Sequence, residues 1–159
     1  MRRSILSLAF VSAVLTVLAL ASAGPVAAKN HGVPFDGSYS GTCNPVGFVP
    51  PVAQFDCVVS GRASHLGSSS EESLIGVNVV TGATSGTSTL TAANGDELFL
   101  TNSGSSAPLG GGMESVSGTQ TVSGGTGRFE GASGSLTVAG SINTVTGAIS
   151  YTLEGSISY

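Results

Sequence analysis

Apolar and small polar residues alternate with a period of two along most of this chain beyond residue 34, and the alternation predicts a succession of short strands. Phe35, Gly37, Tyr39, Gly41 and Cys43 share one parity, and Phe55, Cys57, Val59, Gly61 and Ala63 share another, as strands with one buried face require. The run Ser73 to Val80 is nearly continuous in Ile, Val and Leu and predicts a third strand, buried on both faces. Thr84 to Ala92 predicts a fourth, closed by Asn94-Gly95-Asp96, residues that tolerate the positive φ of a primed hairpin turn. Glu97 to Asn102 predicts a fifth, followed by a flexible loop over Ser103 to Gly112. Glu114, Val116, Gly118, Gln120 and Val122 line one face of a sixth. Leu136, Val138, Gly140 and Ile142, then Ile149, Tyr151, Leu153 and Ile157, give the last two, joined by a turn at Thr144 to Gly147. No segment after residue 28 carries helical periodicity.

Eight antiparallel strands joined by hairpins must close or stack, because a long open sheet leaves edges that template aggregation. Glycines fall inside the strands at Gly37, Gly41, Gly61, Gly76, Gly86, Gly118, Gly140 and Gly155. In barrels such glycines mark strong coiling or close backbone approach, so the expected fold is an all-β, eight-stranded antiparallel barrel. An immunoglobulin sandwich fits poorly, with no Trp and with cysteines too close for an inter-sheet bridge.

The chain opens with Met1, Arg2 and Arg3, an apolar run from Ile5 to Ala21, and small residues at Ala21-Ser22-Ala23 and Val26-Ala27-Ala28, the three-part pattern of a secretory signal peptide. The alternative is an uncleaved anchor, since the run nearly reaches the roughly 20 residues that span a bilayer. The expected organisation is a signal peptide over 1–28, a short tail over 29–34 and a barrel domain over 35–159, in a secreted protein with no membrane association once the leader is gone. Lys29, Arg62 and Arg128 are the cations of the mature part, against nine acids, for a formal net charge of −6. Three scattered cations cannot displace counterions along a phosphate backbone, which argues against nucleic acid as a partner.

Cys43 and Cys57 are the two cysteines, and an exported chain favours their pairing as a disulfide closing a wide hairpin that contains Pro45, Pro50 and Pro51. A structural metal site is not expected, because two thiols and the distant His31 and His65 do not provide four ligands at short spacing. The sequence also lacks a Gly-x-Ser-x-Gly elbow, a His-Glu-x-x-His pair and a phosphate loop, and the serine-rich His65 to Ser70 segment reads as a loop, so hydrolase, metalloprotease and nucleotide-binding readings fall and no cofactor is expected.

Gly124-Gly125-Thr126-Gly127-Arg128-Phe129, followed by Ala132 and Gly134, resembles the glycine-rich turn of dirigent proteins and of the allene oxide cyclase barrels. His65-Leu66-Gly67, the Ala93 to Asp96 turn and the closing strand pair are similar to those of small exported bacterial proteins with an allene oxide cyclase-like barrel. The resemblance covers roughly Phe35 to Tyr159, with its sharp part in about a dozen residues. It implies a calycin-like barrel with an apolar cavity, in families that bind or cyclise hydrophobic small molecules or steer phenoxy-radical coupling, and that often form oligomers.

Against that background Glu114, Tyr39 and Tyr151 are the candidate catalytic groups. Glu114 shares the inward parity of Val116 and Val122, where an acid in an apolar pocket has a raised pKa and can act as a general acid; the alternative is a solvated acid at the barrel rim. The tyrosines sit on apolar faces, as packing residues or as hydroxyl donors. Gln120, Arg128 and Phe129 are candidate ligand contacts, with Arg128 alternatively tying a turn to a nearby acid and Phe129 plugging one barrel end. The sequence therefore favours a small-molecule-binding barrel without a catalytic motif, ahead of an isomerase or cyclase using Glu114 or a tyrosine, and ahead of a structural module whose interior is filled by its own side chains.

Overall fold

The computed structural model describes residues 32–159, and the leader read over residues 1–28 lies outside them. Eight strands follow in order: β1 (Val33–Val49), β2 (Val52–Ala63), β3 (Gly67–Asn78), β4 (Ala83–Thr91), β5 (Glu97–Gly110), β6 (Met113–Gly125), β7 (Ser133–Asn143) and β8 (Ala148–Ser158). Each pairs antiparallel with the next, and β1 pairs with β8 to close the barrel. Closure leaves no free edge, which is why a chain of short hairpins is stable as a single sheet. Among the described residues no helix is long and apolar enough to cross a membrane.

The interior glycines mark where the wall coils most tightly. A Cβ on Gly61 would run into the Ser38 carbonyl oxygen and lie 2.9 Å from the Tyr39 ring, and one on Gly140 would lie 2.5 Å from Tyr151 Cβ. Gly61 stands opposite Tyr39 in the β1–β2 register and Gly140 opposite Tyr151 in the β7–β8 register. Each interior tyrosine therefore leans over a glycine of its neighbouring strand, and the two glycines make room for the polar layer described below.

The even-numbered hairpin connections and the ends of the chain close one end of the barrel. There Phe35, Leu66, Leu98, Phe129, Leu136 and Ile157 are fully or almost fully buried in one apolar cluster. Phe129 lies in a single 3-10 turn, Gly127–Phe129, and its ring meets Tyr159 edge-on at 5.0 Å. The hairpin at Asn94-Gly95-Asp96 forms, with Gly95 but not Asn94 in the left-handed region, at φ 88°, so it is not the primed turn expected.

Four further expectations need correction. The hairpin between the cysteines is present but not wide: β1 and β2 stay paired past Cys43 and Cys57 to a tight turn at Pro50 and Pro51, with Pro45 accommodated at a bulge, a position where a missing N–H is tolerated. The disulfide itself is present, joining directly opposed residues whose Cα atoms are 3.9 Å apart, and contributes about 3 kcal/mol in the chain-entropy account. Ser103 to Gly112 is not a loop, because β5 runs to Gly110 in register with β6. Nor is β3 buried on both faces: it starts at Gly67, inside a serine-rich segment that reads as loop, and its outward Leu74 is 51% exposed. The strand alternates, and its inward set includes Glu71.

Candidate functional site

The odd-numbered hairpins surround the other end of the barrel, and this end is open. A cavity of about 870 Å³ occupies that half of the interior, within the size range of small-molecule sites. Its wall is largely apolar, with Phe55, Ile75, Val77, Val138 and Ile149 beside the Cys43–Cys57 bridge. The β3–β4 and β7–β8 turns form part of its mouth. A cavity here is at odds with the last of the three alternatives, a structural module whose interior is filled by its own side chains.

The floor is polar. Glu71 of β3, 1% exposed, reaches across the lumen to β6 and β8. Gln120 Nε2 donates to Glu71 Oε1 at 2.7 Å, and Tyr151 Oη donates to Glu71 Oε2 at 2.5 Å. Asn102 and Ser88 pair at 3.2 Å beside this group. Tyr39 sits behind it in the packed core, stacked on Tyr151 with ring centroids 5.8 Å apart and hydrogen-bonded to Ser69 at 2.7 Å.

Burial raises the Glu71 pKa from its ordinary value, and the hydrogen bonds from Tyr151, Ser88 and Gln120 only partly offset it. Both arginines of the described chain lie elsewhere, Arg62 exposed on β2 and Arg128 at the closed end, so no cation compensates a charge in the lumen and the neutral acid is favoured. Burial likewise pushes the Tyr39 hydroxyl up to about 12, and burial with the adjacent Glu71 pushes Tyr151 up further. The phenols stay protonated, as hydrogen-bond donors. Gln120 gives its amide to Glu71, which leaves its own Oε1 buried without a partner, a costly arrangement in a dry interior.

Of the residues singled out from the sequence, Gln120 and Tyr151 meet on Glu71, with Tyr39 behind them. Glu114 does line the cavity, but at its rim near the β5–β6 turn, paired in register with Pro108. Arg128 and Phe129 do not border the cavity. The Arg128 guanidinium lies over the Phe129 ring at 4.7 Å, 3.5 Å from Asp96, and donates to the His65 carbonyl at 2.6 Å, the turn-tying role of a bidentate donor. His65 is held at the same end, its Nε2–H on the Pro34 carbonyl and its Nδ1 facing the Tyr159 hydroxyl.

Glu71, the centre of the floor, is the residue that sequence reasoning missed. Its signal was present: Ser69, Glu71, Ser73, Ile75 and Val77 share one parity, so extending the third strand backward through the serines places the acid on the lumenal face. Among the described residues no group of three or more His, Cys, Asp or Glu is placed to hold a metal ion. In comparisons with known proteins the chain matches no family model, no curated protein and no solved structure, and what its site can do is decided by its own geometry.

Proposed function

We propose that this barrel binds a small, mainly apolar molecule carrying a hydroxyl group, with the hydrocarbon in the open half and the hydroxyl on the floor. The observation that carries the reading is a cavity with apolar walls and a polar floor, where Gln120 and Tyr151 meet on Glu71. Tyr151 Oη donates to Oε2 when Glu71 is ionised; with Glu71 neutral the contact reverses, the Oε2–H donating to Tyr151 Oη and the Tyr151 hydrogen turning to the lumen. The floor then offers the Tyr151 O–H as a donor to the oxygen of an alcohol, with the unpartnered Gln120 Oε1 buried beside it. We also propose that the protein is secreted and belongs with the allene oxide cyclase-like barrels, a membership carried by the Gly124 to Phe129 turn; a disulfide in the described chain is compatible with an oxidising compartment.

A fluorescent apolar probe such as N-phenyl-1-naphthylamine should brighten on binding, and 1-octanol should displace it roughly 2–10-fold better than octane, the range of one net hydrogen bond. No brightening, together with no small molecule in native mass spectra of the purified protein, rules the reading out. Equal displacement by the two competitors removes the hydroxyl.

A second reading, acid-assisted isomerisation or cyclisation of a hydrophobic substrate, is favoured by one observation: Glu71, the acid whose pKa burial raises, lies at the cavity floor. It assigns the proton donor to Glu71 rather than to Glu114. Glu71→Gln would then abolish turnover while the probe still binds.

A further inference from the structure

The open end carries a second feature that a soluble binding cavity does not require. Among the described residues, seven of the eleven large apolar side chains that are exposed lie on the hairpins around the mouth: Val46, Phe48 and Val49 on β1–β2, Val79 and Val80 on β3–β4, Leu109 on β5–β6, and Val145 on β7–β8. All four tips contribute. Val80 and Val145 are 79% and 81% exposed. The tip segments 45–53, 78–83, 108–113 and 143–148 contain no charged residue, whereas Asp36, Asp96, Glu97, Arg128, Glu130 and Glu154 lie toward the closed end. Glu114, the nearest carboxyl, faces the lumen.

Two of these tips are the same built turn. Asn78-Val79-Val80-Thr81-Gly82-Ala83 and Asn143-Thr144-Val145-Thr146-Gly147-Ala148 match at five of six positions. In the first, Asn78 Oδ1 accepts the N–H groups of Val80 and Thr81 at 3.0 and 3.1 Å; in the second, Asn143 Oδ1 accepts those of Val145 and Thr146 at 2.9 and 3.0 Å. Both end on a glycine in the left-handed region, Gly82 at φ 73° and Gly147 at φ 74°. The valines are therefore held outward by a pinned backbone. A β-branched residue left this exposed on a polar, Asn-capped turn packs little of its surface and gains nothing from water.

We infer that the open end docks on a lipid surface of low charge, with the four apolar tips in the interfacial layer and the cavity mouth facing the hydrocarbon. The inference rests on the reading of the cavity as a site for an apolar molecule: docked this way, the ligand passes between lipid and lumen without crossing water. The chemistry of the crown favours lipid over a protein partner, because protein interfaces set aromatic and Arg anchors inside a polar rim, and this crown has aliphatic tips, one Phe and no charge. The described residues hold two arginines against nine acids, so attraction to anionic headgroups is not the source of binding. This revises the expectation that the mature domain has no dealings with membranes, from none to peripheral contact.

Flotation of the purified protein with phosphatidylcholine vesicles tests the inference. Binding is expected on pure phosphatidylcholine, with no gain from added phosphatidylserine and no loss in high salt. Val49→Asp with Leu109→Asp, on two different tips and both outside the cavity lining, should weaken vesicle binding at least tenfold while leaving the melting temperature and the naphthylamine response unchanged. Absence of wild-type flotation, equal flotation of the double variant, or a concentration-dependent dimer that the same variant abolishes would overturn it, the last by naming a second copy as the occupant. Flotation without any probe response would retain the docking surface and remove the cavity reading instead.

Discussion

Phe129→Ala is expected to cost about 3–5 kcal/mol of stability, the usual range for emptying a fully buried aromatic site, and to lower the melting temperature by roughly 10–20 °C for a domain of this size. The ring is completely buried, and three independent contacts fix it there: Tyr159 edge-on, the Arg128 guanidinium over its face, and the apolar cluster beneath. Its turn is short and tied back through Thr126 to Glu97, whose N–H donates to Thr126 Oγ1 at 2.9 Å, so the backbone has little freedom to collapse into the space left behind. The cavity penalty should appear almost in full. Urea unfolding with an unchanged m-value is the measurement, and a loss below about 1 kcal/mol would mean the turn is not the plug of that end. Because Phe129 does not border the open cavity, the variant should still bind the naphthylamine probe when folded, which separates stability of the closed end from function of the open one.

The division of the barrel into a packed half and an open half was only partly legible in the sequence. Alternation fixed the inward parity of Tyr39, Cys43, Cys57, Gln120 and Tyr151, and that parity holds, because a one-residue slip would turn every buried side chain outward. What alternation could not show was how far each strand extends through small residues. Ser103 to Gly110 reads as a linker by composition, yet a tightly coiled wall favours small residues, and this stretch pairs with β6 almost throughout. The same bias hid Glu71: the serines before it suggested a loop, and the Ile, Val and Leu after it suggested a strand without a solvent face. The prolines between the cysteines misled in the same way, since Pro45 sits at a bulge and Pro50 and Pro51 form the turn itself. That polar groups from β3, β6 and β8 meet in one layer is a property of closure, and no single-strand pattern carries it.

Glu71→Gln should stabilise the protein relative to wild type as pH rises. Burial raises the pKa of this carboxyl above its ordinary 4.5, so between that value and the folded-state value the native protein keeps a proton that the unfolded chain has released. The unfolded state then binds fewer protons, and linkage makes wild-type stability fall with pH by up to about 1.4 kcal/mol per unit. The contribution is fully present below pH 4.5 and is lost as pH climbs through the folded-state pKa. Glutamine has nearly the same shape, can accept from Gln120 Nε2 at Oε1 and donate to Tyr151 Oη from Nε2, and does not titrate. The difference between the two proteins should be small near pH 4 and widen above pH 4.5 in favour of the variant until the folded-state pKa is passed, with the exposed acids common to both cancelling out. Urea titrations at pH 4, 6 and 8 decide the matter. Should wild type instead gain on the variant as pH rises, the folded barrel would be holding Glu71 ionised, and the floor would present a carboxylate rather than the free Tyr151 donor on which an alcohol sits.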